Sequence, residues 1–539
     1  MRAYTHRVPI QAIHNARIWT ANPSQPWATG VVVQDGRIVA LDEPADGVHR
    51  HAPDFDSFDA QGRFIIPGLI DTHTHLLMAG ESLEQLDLSV ARSRGEFEDL
   101  IRQGHRDLPP GQWLLARGWA QENWPGHALP DKSWLRSAGD RPVVAYRMDS
   151  HICLVNDAVL SRIDLATEPN GGRIGRGPDG AADGLMFEAA AWQLVNPLIP
   201  RLDRPAQHEA LCRAIEHANA LGLTTVGSME YARDVEAVHA PIRDDLLLRI
   251  RVTLLDREWP LDFSFGEDFA GDDFLDVIGY KTFIDGTLGA RTARMLEDYS
   301  DDPGNRGMWC ELAGSRLLPL WIQAVAQRGF QPSMHAIGDA AARAALDAID
   351  SLPKDLAECV RPRIEHAQQL HASDIKRFRR PGTIASMQPL HRADDGRYAL
   401  RRVGPHRVEG AFAFRRLIDA GGRLAFGSDW PIVSCDPFAG IRAAVTGLTI
   451  DGQPFCAEQN LTVEEALRAY TIDAAHALHC ESDAGSIEVG KCSDLVILDR
   501  DPFTADWGGN PPRAVMTIVD GEIVYDDVAK AFRDGVTAR

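Results

Sequence analysis

A His-x-His pair closes an apolar run, Phe64-Ile65-Ile66-Pro67-Gly68-Leu69-Ile70-Asp71-Thr72-His73-Thr74-His75. Side chains alternate faces along a strand, so His73 and His75 point the same way and form half of a metal site. Further apolar runs end in residues of the same chemical kind. Lys281 lies in Tyr280-Lys281-Thr282-Phe283, His335 in Ser333-Met334-His335, His366 in Ile364-Glu365-His366 and Asp429 in Gly427-Ser428-Asp429. Imidazole and carboxylate are ligands for Zn, Fe, Ni or Mn ions. A divalent cation with an open position lowers the pKa of bound water toward ~7 and makes hydroxide available at neutral pH. Asp429 then fits as the general base and acid that carries the proton to a leaving group. Lys281 needs another account, because an ammonium repels a cation. A buried lysine shifts readily toward the neutral amine, which can add carbon dioxide to become an N6-carboxylated lysine that bridges two metals.

Taken singly, these residues carry little. His335 alone is an ordinary core or loop histidine, Asp429 alone a turn residue, and Lys281 alone a salt-bridge partner. Their conjunction at successive strand ends makes the metal site.

The elements that must position them alternate between strand and helix. Strand-like runs end at Asp71–His75, Val226–Met229, Val252–Leu255, Lys281–Ile284, Met334–His335, Ile364–His366, Ala385–Gln388 and Leu424–Ser428. Helical periodicity covers 208–221, 316–328, 340–352 and 409–420, and Gly222, Gly329 and Gly421 follow three of these segments as C-terminal caps. Such a rhythm predicts an α/β fold, a distorted (β/α)8 TIM barrel with its chemistry at the C-terminal strand ends.

Both ends of the chain read as short strands with Asp-Gly turns, at Asp35-Gly36 and at Asp520-Gly521. The expected organisation is a small composite β-sandwich from 1–62 and 480–539 around a barrel at 63–479. The stretch after His75 is too long for a βα connection. It predicts an inserted subdomain over the mouth at about 77–215, with its own strand at Arg141–Tyr146. Its tryptophans (Trp113, Trp119, Trp124, Trp134 and Trp192) either cover substrate or form the insertion's own core.

Bulk properties narrow the function classes. Apolar residues at 44% and charged residues at 25% describe an ordinary globular protein. A net charge of −21 disfavours nucleic acid and anionic membrane as partners. No apolar stretch reaches membrane-spanning length, and the N-terminus lacks a signal-peptide core. The eight scattered cysteines read as free thiols of a reducing compartment, so the cytoplasm is the expected location.

The motifs PGLIDTHTH, KTFIDGTLGART, MHAIGDAA, RIEHAQ, MQPLH and GSDWP occur in that order. Together they resemble the amidohydrolase superfamily, in its family 3 branch that includes N-substituted formamide deformylases. The tail segments Leu461–Ala466 and Gly485–Val496 are similar as well. This resemblance implies that His73, His75, Lys281, His335, His366 and Asp429 bind one or two divalent metals, with zinc the expected ion and Lys281 carboxylated. It also brings Trp119 and His151 forward as substrate contacts. His391, which closes the seventh strand, either meets the substrate or is a loop histidine, and Arg291 either binds an anion of the substrate or anchors the loop after the fourth strand. Asn156 completes a motif with His151, and Glu188 stands at a family-like position without an evident role.

The expected activity is metal-dependent hydrolysis of a non-peptide carbon–nitrogen bond in a small N-formyl or N-acyl amide, with activated hydroxide attacking the carbonyl. A deaminase or cyclic-amide hydrolase on the same barrel is one alternative. A metal-binding regulatory protein without turnover is another. A homodimer is an expected assembly.

Overall fold

The computed structural model describes residues 11–42 and 57–528. Those parts of the expected terminal segments 1–62 and 480–539 that fall at 1–10, 43–56 and 529–539 lie outside the described residues.

Eight strands form one sheet in which sequence neighbours are spatial neighbours, and all resolved pairings are parallel. We label them β1 (Leu69–Thr74), β2 (Leu223–Glu230), β3 (Arg249–Leu254), β4 (Leu275–Phe283), β5 (Gln331–Ala336), β6 (Arg363–His366), β7 (Ile384–Met387) and β8 (Arg423–Phe426). The gap between β8 and β1 is nearly closed. A parallel bridge joins Thr74 to Trp430, and the Thr72 hydroxyl donates to the Phe426 carbonyl at 3.0 Å. Each of the eight expected strand ends is therefore a barrel strand end. Because the pairings are parallel, the C-terminal ends of the strands lie on one face.

Helices cover the barrel through one continuous apolar core that includes Leu211, Ile215, Trp321, Val325, Leu346 and Ile349. Gly222, Gly329 and Gly421 have φ of 87°, 82° and 79°, the left-handed geometry that ends a helix and favours glycine. The segment expected as one helix at 409–420 is split. A short turn at Val408–Gly410 precedes the helix Phe414–Asp419. Phe412, at φ 47°, breaks the run because its N–H bonds the Gln368 carbonyl at 2.7 Å.

The two ends of the chain meet. Leu495–Leu498 pairs antiparallel with Phe64–Pro67 in a six-stranded sheet that also holds Arg17–Trp19 and Ala514–Val519. A four-stranded sheet of Ala12–His14, Val31–Gln34, Arg37–Leu41 and Ser57–Asp59 shares a core with it, through Ile13, Val33, Ile65, Ile497 and Ile518. The Asp35-Gly36 hairpin has positive φ at both residues, 49° and 74°, as a tight right-twisted turn requires.

Between β1 and β2 stands a separate six-stranded sheet, from Leu86–Asp87 to Ala182–Glu188. One face packs on the helix Arg94–Asp107 through Phe97 and Ile101, and the other on Val159, Leu160 and Val195. The helix Arg204–Ala220 packs into the barrel core instead, so the separate sheet is narrower than the expected 77–215. All eight cysteines are described, and none of them forms a disulfide.

Candidate metal centre and active site

The C-terminal face of the barrel opens on a cavity of about 1850 Å³ lined by His73, His75, Lys281, His335, His366 and Asp429. All six expected ligand residues thus line one space. β1 supplies the two histidines, β4 the lysine, β5 and β6 one histidine each, and the segment after β8 the carboxylate.

Asp429 sits at the centre. Its Oδ1 lies 3.3 Å from His73 Nε2 and 3.3 Å from His75 Nε2. Its N–H bonds the His73 carbonyl at 2.6 Å, pinning the segment after β8 against β1. Gly427 makes that approach possible, because a Cβ there would stand 2.6 Å from the His73 backbone nitrogen. Lys281 Nζ lies 3.4 Å from His73 Nε2. The His366 ring is 5.2 Å from that of His73 and 4.5 Å from that of His335. His366 and Asp429 have φ of 72° and 65°, an uncommon backbone for such residues and of the kind that clusters at functional sites.

Burial sets the protonation of this group. It pushes the His73 imidazole down to about 4, with Lys281 adding to the effect. It also holds His335 and His366 well below the usual histidine range. Lys281 is pushed down to about 8 by burial, against the pull of Glu365 and Asp429. Burial alone would raise the Asp429 carboxyl, but His73 and His75 outweigh it and hold the group well below the usual carboxylate range. Neutral imidazoles around an ionised carboxylate are the donor state that a divalent cation needs.

These residues fit such a cation. Donor atoms of His73, His366 and Asp429 all lie within 4.8 Å of one another, all three are buried, and His366 Nδ1 has no hydrogen-bond partner in the protein. A buried ring nitrogen without a partner is costly unless something outside the chain satisfies it.

Glu365 was not singled out as a site residue from the sequence, yet it organises the first ligand. Its Oε2 accepts from His73 Nδ1 at 2.7 Å, which turns Nε2 toward the centre. Ser333 and Arg363 donate to Oε1 at 2.5 and 2.8 Å. The signal for it was present in Arg363-Ile364-Glu365, a cation and an anion on one face of a fully buried strand. Asp285 is also buried, and takes three backbone N–H groups, from Arg294, Ile337 and Gly338, at 2.7 to 3.0 Å. It thereby ties the loop after β4 to the end of β5.

The expected substrate contacts divide. His391 faces the centre: its ring stacks on His366 at 5.8 Å, and its Nε2 lies 3.8 Å from Asp429 Oδ2. His151 comes from the insertion and lines the cavity beside His335. Trp119 is a correction. It is fully buried in the insertion core with Trp124 and Trp134, and its Nε1 donates to the Ala145 carbonyl at 2.8 Å. Arg291 takes the anchoring role of its two expected ones, not that of a substrate contact. It forms a two-pronged ion pair with Asp301, at 3.1 and 2.9 Å, and anchors the loop after β4 outside the cavity lining. Asn156 is structural as well, since its side chain bonds Val143 N and Arg141 O and holds the edge of a strand.

The sequence profile described as the amidohydrolase family matches residues 56–525. The chain belongs to the amidohydrolase family. Among its relatives, the protein LONG AFTER FAR-RED 3 of Arabidopsis thaliana is 31% identical, over 95% of this chain and 91% of its own length. An N-substituted formamide deformylase of Arthrobacter pascens is 27% identical, over 95% of this chain and 98% of its own. Among solved structures, an uncharacterized metal-dependent hydrolase from Pyrococcus horikoshii superposes with a TM-score of 0.73 at 26% identity, covering 93% of this chain and 99% of that one. This amidohydrolase thus shares its fold over 93% of its length with a metal-dependent hydrolase, and its candidate metal centre lies on the barrel face where that fold does its chemistry. No described helix is long and apolar enough to cross a membrane.

Proposed function

We propose that this amidohydrolase cleaves the carbon–nitrogen bond of small non-peptide amides, with N-formyl and N-acyl amines as the substrate class. The observation that carries this reading is Asp429, an ionised carboxylate wedged between two imidazole nitrogens on the floor of a cavity. The relative that is an N-substituted formamide deformylase supports the choice of bond.

His73, His75, His335, His366 and Asp429 would hold the metal, for which we propose zinc. When bound, it supplies Lewis acidity that polarises a carbonyl and acidifies a water. The chain's own groups do the rest. Asp429 Oδ2, on the side facing His391, takes a proton from water and returns it to the departing amine nitrogen. Glu365 keeps His73 in one tautomer. We also propose that Lys281 is carboxylated: its buried amine adds carbon dioxide at Nζ, forming a C–N bond and releasing one proton. The two terminal sheets are read as the composite sandwich that carries the barrel.

The test is an assay of N-formyl and N-acetyl arylalkylamines before and after chelation. Equimolar amine and carboxylic acid, lost on chelation and restored by zinc, is the expected result. Ammonia without an acid product would point to deamination, and full activity after exhaustive chelation would remove the metal from the mechanism.

A further inference from the structure

The insertion contributes more than a roof. His151 lies between two strands of its sheet, and His151 Nδ1 is 2.6 Å from Glu188 Oε2. Glu188 is fully buried at φ 51°, and its other oxygen accepts from the Thr292 hydroxyl at 2.5 Å. The Glu188 N–H bonds the His151 carbonyl at 2.7 Å. Asp149 accepts from His151 N at 3.1 Å and from the Thr287 hydroxyl at 2.7 Å. Two carboxylates of the insertion therefore clamp His151 to Thr287 and Thr292, in the loop after β4.

This arrangement repeats the one at His73. Each imidazole gives Nδ1 to a fully buried carboxylate, at 2.7 Å for His73 and 2.6 Å for His151. In both pairs the short contact has the carboxylate oxygen accepting and Nδ1 carrying the hydrogen. For His151 this leaves Nε2, in either protonation form, as the nitrogen with bonding capacity for the cavity. The ring sits 5.3 Å from that of His335 and 5.0 Å from Trp192, and His151 lines the space in which the metal ligands converge.

We propose that His151 is a catalytic residue of this enzyme, contacting the scissile amide through Nε2, and that Glu188 is the positioning residue that fixes its ring. The insertion thereby supplies part of the active-site wall, beside His335. Glu188 is fully buried in a left-handed backbone position, and both of its oxygens are committed, one to this ring and one to Thr292. This assignment rests on the amide-hydrolase reading above.

The experiment compares wild type with His151→Ala and Glu188→Gln, using N-formyl-2-phenylethylamine as probe and measuring kcat, KM, bound metal and imidazole rescue. Removing a group that contacts the reacting amide should lower kcat of His151→Ala by about 100-fold. Metal content should stay at the wild-type value, and added imidazole should restore at least about tenfold of the loss. Glu188→Gln keeps an acceptor and should lose about tenfold in kcat with KM unchanged, because only ring placement is relaxed. Unchanged kcat in both variants overturns the proposal. So does loss of bound metal in His151→Ala, which would make the residue a ligand. If His151→Ala fails to fold, a normal kcat in a folded Glu188→Gln overturns it instead. A wild type inactive on the probe and on every other amide tested defeats the parent reading, and is told apart by the absence of any baseline.

Discussion

Two buried polar clusters line the cavity, and they are built on opposite principles. Where the insertion meets the barrel, charges are paired within the protein. Arg147 is buried and spends all three nitrogens, on Gln121 at 2.9 Å, Asp149 at 2.5 Å and Glu122 at 2.9 Å. Glu122 takes a second guanidinium from Arg402, which also reaches Asp301. At the barrel mouth, imidazoles and one lysine crowd around a single carboxylate, and a ring nitrogen of His366 is buried without a partner. A cluster whose charges are paired with one another is scaffold. One that concentrates donors of the same kind, with their pKa values driven down, is arranged for something that comes from outside the chain.

Asp429→Asn breaks the mouth without breaking the fold. Asparagine tolerates the left-handed backbone that residue 429 adopts, so the unfolding midpoint should hold. Turnover should fall by about 10³-fold, within the range for a lost general base. Retained turnover would move the proton-carrying role elsewhere.

Arg147→Met attacks the other cluster. It leaves Asp149 without its guanidinium and Glu122 with that of Arg402 alone, and breaking a buried pair costs about 3–5 kcal/mol in comparable cases. The expected readout is a large drop in unfolding midpoint at pH 7. Its pH dependence follows from Asp149. Burial would raise that carboxyl, but Arg147 and His151 hold it below its usual value in the fold. Its contribution is therefore present above an unfolded pKa of about 3.9 and is lost as the pH falls through the lower folded value. The gap between wild type and variant should narrow below about pH 4. An equal gap at pH 3 and pH 7 would mean that Arg147 acts through packing, not charge.

Glu365→Gln lies between the two, since Glu365 is paired like scaffold yet serves a ligand. Removing such an outer partner weakens metal affinity by about 10–100-fold. Competitive dialysis against a chelator measures it, and unchanged affinity would assign Glu365 to barrel packing alone. This residue also marks where the sequence stops being legible. The eight strand ends could be read because apolar runs, glycine caps and ligand-type residues coincide at each. Strict alternation, however, puts Glu365 and His366 on opposite faces. Both serve the centre only because His366 adopts φ 72° and turns at the strand end. No local pattern announces that turn. The Arg147 network was equally hidden, because its partners are scattered from Gln121 to Arg402 and meet only after the insertion docks.

The insertion's tryptophans give the mildest test. Trp119 sits among Trp124, Trp134 and Phe97, and Trp124 stacks on it at 6.3 Å. Its polar handle is spent on the Ala145 carbonyl of the neighbouring strand. Trp119→Phe keeps most of the apolar body and removes that bond, a change worth about 1 kcal/mol. Stability should drop by that order, while KM for the amide probe stays fixed. Trp192 provides the contrast, since it lines the cavity and meets His151 edge-on at 5.0 Å. Its substitution should move KM. If Trp119→Phe shifts KM and Trp192→Phe does not, the line drawn between the insertion's core and its catalytic wall is in the wrong place.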